Sequence, residues 1–490
     1  MHKPLLGLLA SAVLLSGCSL APVFDEPELA LPAHWGAPAE RGLPLTPDWW
    51  TLFGSGELDR LVQQAQRDNL DLATAMSRVR QADIQARIAG ASLLPSLNGN
   101  LGGTRSDSEG GGSASRYSAG LSASYELDVW GKNRDSRDSS AFSAQATAYE
   151  RDSVALTVNA SVATSYFKVL ELRERLRLAG ENLANAEQVM RMVDAKVRLG
   201  AGTELDRVQQ QTLVEQRRAA LPALRQQVAT AETALALLLG EAPQGIAARI
   251  EVASLHDLTL PDAVAAGLPS ELLLRRPDLR RAETQLRAAN ANIGVARAAL
   301  FPSISLSASA SLQDAALSGL GSAGLATSFG ASLLQPIFRG GALRGQVALS
   351  EERYVELLAG YRLTILTALK DVEDALVTVR EGQLQYAGQR QVLANAERTF
   401  QLAESQYRAG ATDLLTVLNA QQTLFSARDT FLQNTSAQLQ NQVALFKALG
   451  GGFGEPGVGR CGGNLWGRLH AGRRSVGVRP WAGWRRPWPG

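Results

Sequence analysis

The chain has 490 residues, and its 49 Lys and Arg side chains nearly balance its 47 Asp and Glu side chains. Its two cysteines, Cys18 and Cys461, cannot form the framework of a small disulfide-rich fold. The four histidines are scattered, and no nucleophile elbow or phosphate-binding loop occurs, so the sequence predicts no metal site, no cofactor and no enzyme activity.

The N-terminus has the pattern of an exported lipoprotein. Lys3 precedes an apolar run from Leu5 to Leu15, and small residues follow directly before Cys18. This spacing forms a lipobox, so residues 1–17 are predicted to be removed and Cys18 to become the acylated first residue. A plain signal peptide with a chance cysteine is the alternative, and the position of the small residues argues against it.

After this signal, the chain contains two copies of one pattern. Each copy has a helix, a proline, two alternating strands and then long helices. The first copy spans about residues 57–240 and the second about 270–450; residues 18–56 precede them and 241–269 join them. The matching landmarks are Asp71, Leu72, Pro95, Arg198, Gly200 and Gly240 in the first copy and Asp278, Leu279, Pro302, Arg408, Gly410 and Gly450 in the second.

Each copy is predicted to carry two strands, within about residues 95–128 and 302–337. From Ser303 to Leu312, serines alternate with apolar residues, and residues 116–128 alternate in the same way. Weaker partners are residues 97–104 and 325–333, and the glycine-rich run 109–113 is a predicted turn. One polar and one apolar face is typical of an outer-membrane barrel strand. A soluble sandwich with one wet face is the alternative.

Four strands cannot close a barrel. Open sheet edges in lipid leave backbone groups unpaired, at a cost of several kcal/mol each. Several copies must therefore share one barrel: three copies supply about 12 strands, whereas two supply about 8, whose interior is filled by side chains.

The long helices are predicted from two long stretches of sequence without proline. None occurs between Pro95 and Pro222 or between Pro336 and Pro456, so residues 131–199 can form a helix of about 100 Å. Residues 203–239 are predicted to return as a second helix. A heptad seam with three polar layers is predicted in the second copy: Leu415, Leu418, Gln422, Phe425, Asp429, Leu432, Ser436, Leu439, Val443 and Phe446. The first copy repeats this spacing at Leu224, Val228, Ala231, Leu235 and Leu238.

The last segment differs abruptly in composition. Residues 454–490 hold seven arginines, four tryptophans and one glutamate, and they show no periodicity. Residues 451–490 are predicted to be a disordered tail or the product of a shifted reading frame. Nucleic-acid or membrane-surface binding by this tail is the alternative. The rest of the mature chain is mildly acidic, so no nucleic-acid partner is predicted.

Several motifs match a known family over about residues 18–452. They are Trp49-Trp50, Tyr125–Lys132, Gly267–Leu273, Arg275–Leu279, Gln335–Phe338, Tyr407–Gly410 and Leu415–Gln421. With these motifs, the chain resembles the TolC-like outer-membrane factors of tripartite efflux pumps, in particular the lipoprotein branch typified by OprM.

This resemblance implies a mixed α and β membrane protein: a homotrimer with a shared 12-stranded β-barrel, a coiled-coil periplasmic tunnel and an equatorial region built from residues 18–56 and 241–269. It also implies a passive exit duct for drugs or other small solutes. The implied partners are a periplasmic adaptor, an inner-membrane pump of the RND type and the lipid of the outer membrane. An exit channel for type I protein secretion is the alternative on the same fold, and a structural coiled-coil lipoprotein without a barrel is another.

The resemblance also suggests where the tunnel closes. The adaptor is expected at the helical turns, and rings of acidic side chains often gate the family's closed tip. Asn419 stands where the OprM-like pattern has an acid, so Asp206 and Asp413 could supply the charge; the alternative is that these two acids only cap helices. The candidate gate residues are Asp206, Tyr407, Asp413, Thr416 and Asn419, and the candidate adaptor contacts are Gly200, Gly202, Gly410 and Thr412.

Overall fold

The computed structural model describes residues 19–25, 27, 31–36, 45–108, 111–251, 254–261 and 266–452. The predicted export signal with Cys18, residues 109–110 of the predicted turn and the predicted tail from residue 453 onwards lie outside this range.

All four predicted strands are present. They are β1 (Ser96–Ser108), β2 (Gly111–Leu127), β3 (Ser303–Asp314) and β4 (Ala326–Leu334). They form one antiparallel sheet in the order β1-β2-β3-β4. The prediction of a turn over residues 109–113 was partly wrong, because Gly111 to Ser113 already belong to β2.

The helices follow the predicted pattern of short and very long elements. They are α1 (Gly56–Asp68), α2 (Leu70–Ala91), α3 (Lys132–Arg198), α4 (Glu204–Leu238), α5 (Leu272–Arg275), α6 (Pro277–Ala298), α7 (Ala342–Arg408) and α8 (Leu414–Ala448). Helices α3 and α7 each have 67 residues, or about 100 Å. Helix α4 continues through the exposed Pro222.

In the described part of the chain, no helix combines the length and the apolar character that a transmembrane helix needs.

The helices continue the order of the strands. Next to the sheet, α2 contacts α3, α3 contacts α6 and α6 contacts α7. Towards the far tips, α4 contacts α3, α3 contacts α8 and α8 contacts α7. One layer of four rods therefore runs below the sheet, with α2 and α4 at one edge and α7 at the other.

Each long helix ends in the same glycine turn. At the end of α3, Ala201 N–H donates to the Lys196 carbonyl and Gly200 N–H to the Val197 carbonyl, which is a Schellman motif. The turn requires a positive φ, which Gly200 supplies at +73°. The same pattern recurs at Gly240, Gly410 and Gly450.

The coiled-coil seam was predicted correctly in one part and wrongly in another. From Phe425 to Phe446 the predicted apolar residues are buried. Nearer the tip, Leu415 and Gln422 are exposed, and Leu414, Val417, Gln421 and Leu424 are buried instead. The reason is that α8 packs there between α3 and α7, so its buried face is set by two neighbours rather than by one seam.

A compact aromatic core joins both halves of the chain at mid-length. Trp49 stacks on Phe446 with ring centroids 5.2 Å apart, and Phe53 contacts Phe167 at 4.9 Å. The linker between the copies packs here, and the indole of Trp35 donates to the Gly267 carbonyl. The short strand expected at residues 250–252 is not formed at Ile250 and Glu251; Val252 lies outside the described residues.

The glycine turns give a paired test of the fold. An alanine Cβ at Gly240 would collide with the Asp68 backbone carbonyl, whereas one at Gly200 would meet open space. Gly200→Ala should cost about 1 kcal/mol from the left-handed backbone alone, and Gly240→Ala at least twice that. Thermal unfolding followed by circular dichroism would measure both; equal losses would contradict the packing at Gly240.

Candidate functional site

The strand register places most of the apolar residues of the four strands on one face. Directly opposite residues of an antiparallel pair share a face. Leu121 lies opposite Gly99 and Ala310, and Tyr125 lies opposite Leu306. Ala308 lies in turn opposite Phe329. The other face carries the serines, with Ser122 opposite Asn98 and Ser309, and Ser309 opposite Ser328.

The two faces differ in what they leave exposed. On the apolar face, Leu101 and Phe329 are both 86% exposed, although they are large hydrophobic side chains. On the polar face, the hydroxyls bond across the strands: Ser96 to Ser124 at 2.7 Å and Ser309 to Ser328 at 2.8 Å. A sheet with a continuous, uncovered apolar face suits lipid on that side and water on the other.

An aromatic cluster marks the end of the sheet where the helices begin. Trp130 stacks on Phe301 at 4.9 Å, and its indole N–H donates to the Pro302 carbonyl at 2.7 Å. Beside it, Ile337 and Phe338 are 90% and 87% exposed. Aromatic side chains at this level are typical of a membrane–water boundary.

The first described residues of the chain lie at the same level. Ser19 donates its hydroxyl to Asp135 at 2.8 Å, and Asn290 donates to the Pro22 carbonyl at 2.7 Å. Gly294 leaves the space for this segment, because an added Cβ would collide with Asp135 and Ala21. Burial raises the pKa of the Asp135 carboxyl above its ordinary value. The residue after Cys18 is thus held in the first turn of α3, next to the sheet.

At the opposite end, the returning helix of each hairpin has an N-cap made by one threonine and one aspartate, and the positions of the two residues are reversed between the hairpins. In the first hairpin, Thr203 is the N-cap of α4, and its hydroxyl and N–H both donate to Asp206, at 2.8 and 2.9 Å. In the second, Asp413 is the N-cap of α8 and accepts from the N–H and hydroxyl of Thr416, at 2.9 and 2.6 Å. These bonds hold the pKa of the Asp413 carboxyl below its usual value.

Tyr407 is the buried centre of this tip. It packs with Val193 of α3 and Val417 of α8, and Lys196 lies over its ring at 3.8 Å. Lys196 also donates to the Tyr407 carbonyl. Burial, followed by the charge of Asp206, raises the pKa of the Tyr407 hydroxyl above its ordinary value.

The structure therefore brings some of the predicted site residues together and leaves others apart. Tyr407 lies within the electrostatic reach of Asp206, and Asp413 bonds to Thr416. Asn419 is exposed on α8, while Gly200 and Gly410 occupy open turns. Gly202 lies against Val197, and Thr412 is half-buried.

Sequence reasoning missed Lys196. It lies in the last turn of α3, a common position for a basic residue near a helix C-terminus, and nothing in the sequence pairs it with Tyr407. The described residues contain no cluster of His, Cys, Asp and Glu that could hold a metal ion.

The sequence matches the family model for an outer membrane efflux protein twice, at residues 61–241 and 268–451. The chain belongs to the outer membrane efflux protein family. The double match agrees with the internal duplication predicted from the sequence.

Individual relatives match over nearly their whole length. The pyoverdine export outer membrane protein OpmQ of Pseudomonas aeruginosa is 43% identical, over 91% of this chain and 97% of its own. The cation efflux system protein CusC of Escherichia coli K12 is 34% identical, over 90% and 98%. The crystal structure of the open MtrE outer membrane channel of Neisseria gonorrhoeae superposes with a TM-score of 0.82 at 29% identity, over 89% and 99%.

These relatives confirm the family and the fold class predicted from the sequence. The chain is an outer membrane efflux channel of the TolC-like fold, and the relatives favour efflux over the alternative of protein secretion. Members of this family are passive channels rather than enzymes.

Two neighbouring residues of β2 test the assignment of the faces. Leu121→Arg puts a charge on the apolar face, at a cost of about 2–4 kcal/mol near the bilayer centre. Ser122→Arg puts the same charge on the polar face, where water can solvate it. We expect Leu121→Arg to abolish assembly in the outer membrane and Ser122→Arg to assemble with reduced conductance, as measured by membrane fractionation and planar-bilayer recording. Equal assembly of both variants would contradict the assignment.

A second pair of variants separates the charge of Asp413 from its role as a cap. We predict that Asp413→Ala raises leak conductance in planar bilayers. Asn caps a helix as well as Asp does, so Asp413→Asn keeps the cap and removes the charge. A leak in both variants would indicate gating by charge, and a leak only in Asp413→Ala would indicate capping. Conductance like wild type in both would remove Asp413 from the gate.

The lowered pKa of Asp413 adds a pH dependence. Its contribution to stability is present above the pKa of an unfolded Asp and is lost only as the pH falls through the lower, folded value. We therefore compare the leak conductance of wild type with that of Asp413→Ala across pH. The wild-type leak should stay constant from neutral pH down to the ordinary pKa of an Asp carboxyl, and it should rise only at lower pH. A rise at neutral pH would contradict this.

Proposed function

We propose that the chain is the lipid-anchored outer-membrane duct of a tripartite efflux system and works as a homotrimer. The observation that carries this proposal is the two-faced sheet with its uncovered apolar side. The outer strands β1 and β4 each pair on one side only within the described chain. Lipid cannot satisfy the backbone groups of these two edges, so neighbouring copies must pair with them.

The helical layer supports closure by further copies. Its edge helix α7 exposes an apolar stripe at Val355, Leu366, Val377, Leu384 and Leu402. The steps of 11, 11, 7 and 18 residues keep these side chains on one face of a long helix. The opposite edge offers Ile84 and Ile88 of α2 and Leu237 of α4, also exposed. A ring that joins α7 of one copy to α2 and α4 of the next would bury both stripes.

Lipid anchoring at Cys18 is supported by the position of its neighbour. Ser19 is bonded to Asp135, directly below the aromatic level of the sheet. An acylated Cys18 would therefore meet the inner leaflet of the outer membrane without a spacer. Several acyl chains hold a protein firmly, at about 0.8 kcal/mol per buried CH₂.

The hairpin tips are the proposed contact for a periplasmic adaptor, and an inner-membrane pump of the RND type would supply the energy. Both turns carry exposed backbone at Gly200 and Gly410 with open space around them, so a partner can approach closely. The candidate gate of Asp206, Tyr407, Asp413, Thr416 and Asn419 would close this end. The bond and ring contact from Lys196 to Tyr407 support a role for Tyr407 in holding it closed.

We further propose a polar organic solute as cargo. The serine and asparagine side chains of the polar face offer hydrogen bonds without charge at mid-sheet. The relative named for pyoverdine export shares 43% of its residues with this chain, against 34% for the relative named for cation efflux. An exported siderophore-like molecule fits both observations.

A deletion strain tests this proposal. Without the protein, a siderophore should accumulate in the periplasm and fall in the medium, and expression of the wild-type chain should restore export. The Leu121→Arg variant serves as the non-assembling control. Unchanged export of siderophores and unchanged susceptibility to drugs, solvents and metal ions would contradict a role in efflux. Sensitivity to metal cations alone would exclude the organic cargo.

A further inference from the structure

A groove with an apolar floor and a basic rim runs along α6 and α7, just below the sheet. Its volume is about 700 Å³. The floor consists of small and branched apolar residues of α6 and its C-cap, together with two leucines of α7: Ala288, Ala289, Val295, Ala296, Ala299, Leu349 and Leu357. Small side chains on α6 leave this helix recessed between α3 and α7.

The rim of the groove is positive. Lys132 and Arg353 line it together with the amides of Gln285, Asn292 and Gln346. None of the described lining residues is acidic. Lys132 forms an ion pair with Glu126, with 3.1 Å between Nζ and Oε1. Arg353 is exposed and has no ion pair among the residues the structure describes. The carboxylate of Glu351 on α7 is already paired with Arg297 at 2.8 Å.

Two observations place this groove on the luminal side of the wall. First, its residue Lys132 bonds to Glu126, which lies opposite Ser305 on the polar face of the sheet. Second, the N-terminal segment that carries the lipid anchor packs on Arg287, Asn290 and Gly294 of α6.

With about 3.6 residues per turn, those three residues lie on the side of α6 opposite to Ala288, Asn292 and Ala299. The anchored segment must run outside the tunnel to reach the bilayer. The groove therefore faces inwards, where a solute passes.

The chemistry of the groove selects one class of solute. An apolar floor takes up an apolar body, and the planar guanidinium of Arg353 can donate two parallel hydrogen bonds to a carboxylate, sulfonate or phosphate group. The neutral amides of the rim accept or donate without adding charge. A cation would meet the unpaired guanidinium of Arg353, and Glu126, the acid next to the rim, is already paired with Lys132.

We propose that this groove is a docking subsite for amphiphilic organic anions passing through the duct. The proposal rests on the proposed function, because it requires a lumen. Binding there should be weak, since a solute must leave as well as enter. The subsite lies between the serine-lined sheet and the hairpin tips. It would therefore select solutes by charge before they reach the middle of the sheet, where the serine and asparagine side chains are uncharged.

Block of ion current through the full-length protein in planar bilayers tests the proposal. The probes share one ring system and differ in charge: naphthalenesulfonate, naphthalenemethanol and naphthylmethylammonium. We expect the sulfonate alone to reduce the current in wild type. Arg353→Gln should raise the half-blocking concentration roughly tenfold, which corresponds to one lost charge-assisted hydrogen bond.

Arg390→Gln is the matched control, because Arg390 is exposed on α7, lies off the apolar stripe of that helix and is about 55 Å along the helix from Arg353. It removes the same charge and should change the half-blocking concentration less than about twofold, within the range of a screened distant charge. Gln346→Glu adds an acid to the rim; it should weaken block by the sulfonate and introduce block by naphthylmethylammonium. This second variant keeps the test decisive if Arg353→Gln assembles poorly.

Several results would overturn the proposal. One is equal block by all three probes, and another is a sulfonate block that neither Arg353→Gln nor Gln346→Glu changes. A Ser350→Cys thiol, in a Cys461→Ser background, that no water-soluble maleimide reaches would show that a neighbouring copy covers the groove, which also overturns it. In each case, a normal ion current in the absence of probe would leave the proposed duct intact. A wild-type protein that forms no pores in planar bilayers would contradict the duct itself.

Discussion

Backbone hydrogen bonding in a medium without water is the constraint on which this structure depends. A sheet of four strands has two edges, and each edge presents a row of N–H and C=O groups that hydrocarbon cannot satisfy. The register makes one face of this sheet apolar and the other polar, from β1 to β4. The same surface that suits lipid is therefore unfinished until further copies of the chain continue the wall. Assembly and insertion are thus parts of one energetic problem.

The helices extend this solution below the membrane. The order β1-β2-β3-β4 continues as α2-α3-α6-α7, so each strand is followed or preceded by its own rod. Side-chain packing replaces backbone pairing as the joint between neighbours, because a helix satisfies its backbone internally. Alanines and other small side chains between the helices let these rods lie close together in a single layer. Within one chain, the aromatic core around Trp49 and Phe446 then holds the two repeats together where the linker between them packs.

Patterns that repeat with a fixed period could be predicted from the sequence. The serine alternation in β3 and the gaps in proline around α3 and α7 indicated the strands and the long helices, and the paired glycines indicated the turns. Features that depend on contacts between distant segments could not be predicted. Near the tip, α8 buries Leu414 rather than Leu415, because it meets two helices at once. The contact between Lys196 and Tyr407 and the groove beside Arg353 likewise arise only when separate helices pack.

The length of β2 has a consequence for the outer surface of the cell. Its apolar alternation covers only Tyr117 to Leu127, which at about 3.4 Å per residue and the usual tilt matches an apolar band of about 25 Å. The remaining residues, from Gly111 to Arg116, belong to the strand and are mostly polar or glycine. The second hairpin has no such extension, because β3 and β4 are 12 and 9 residues long. The rim is therefore uneven: in each copy the first hairpin continues as a paired polar ribbon beyond the apolar band, whereas the second ends in a connection without strand pairing.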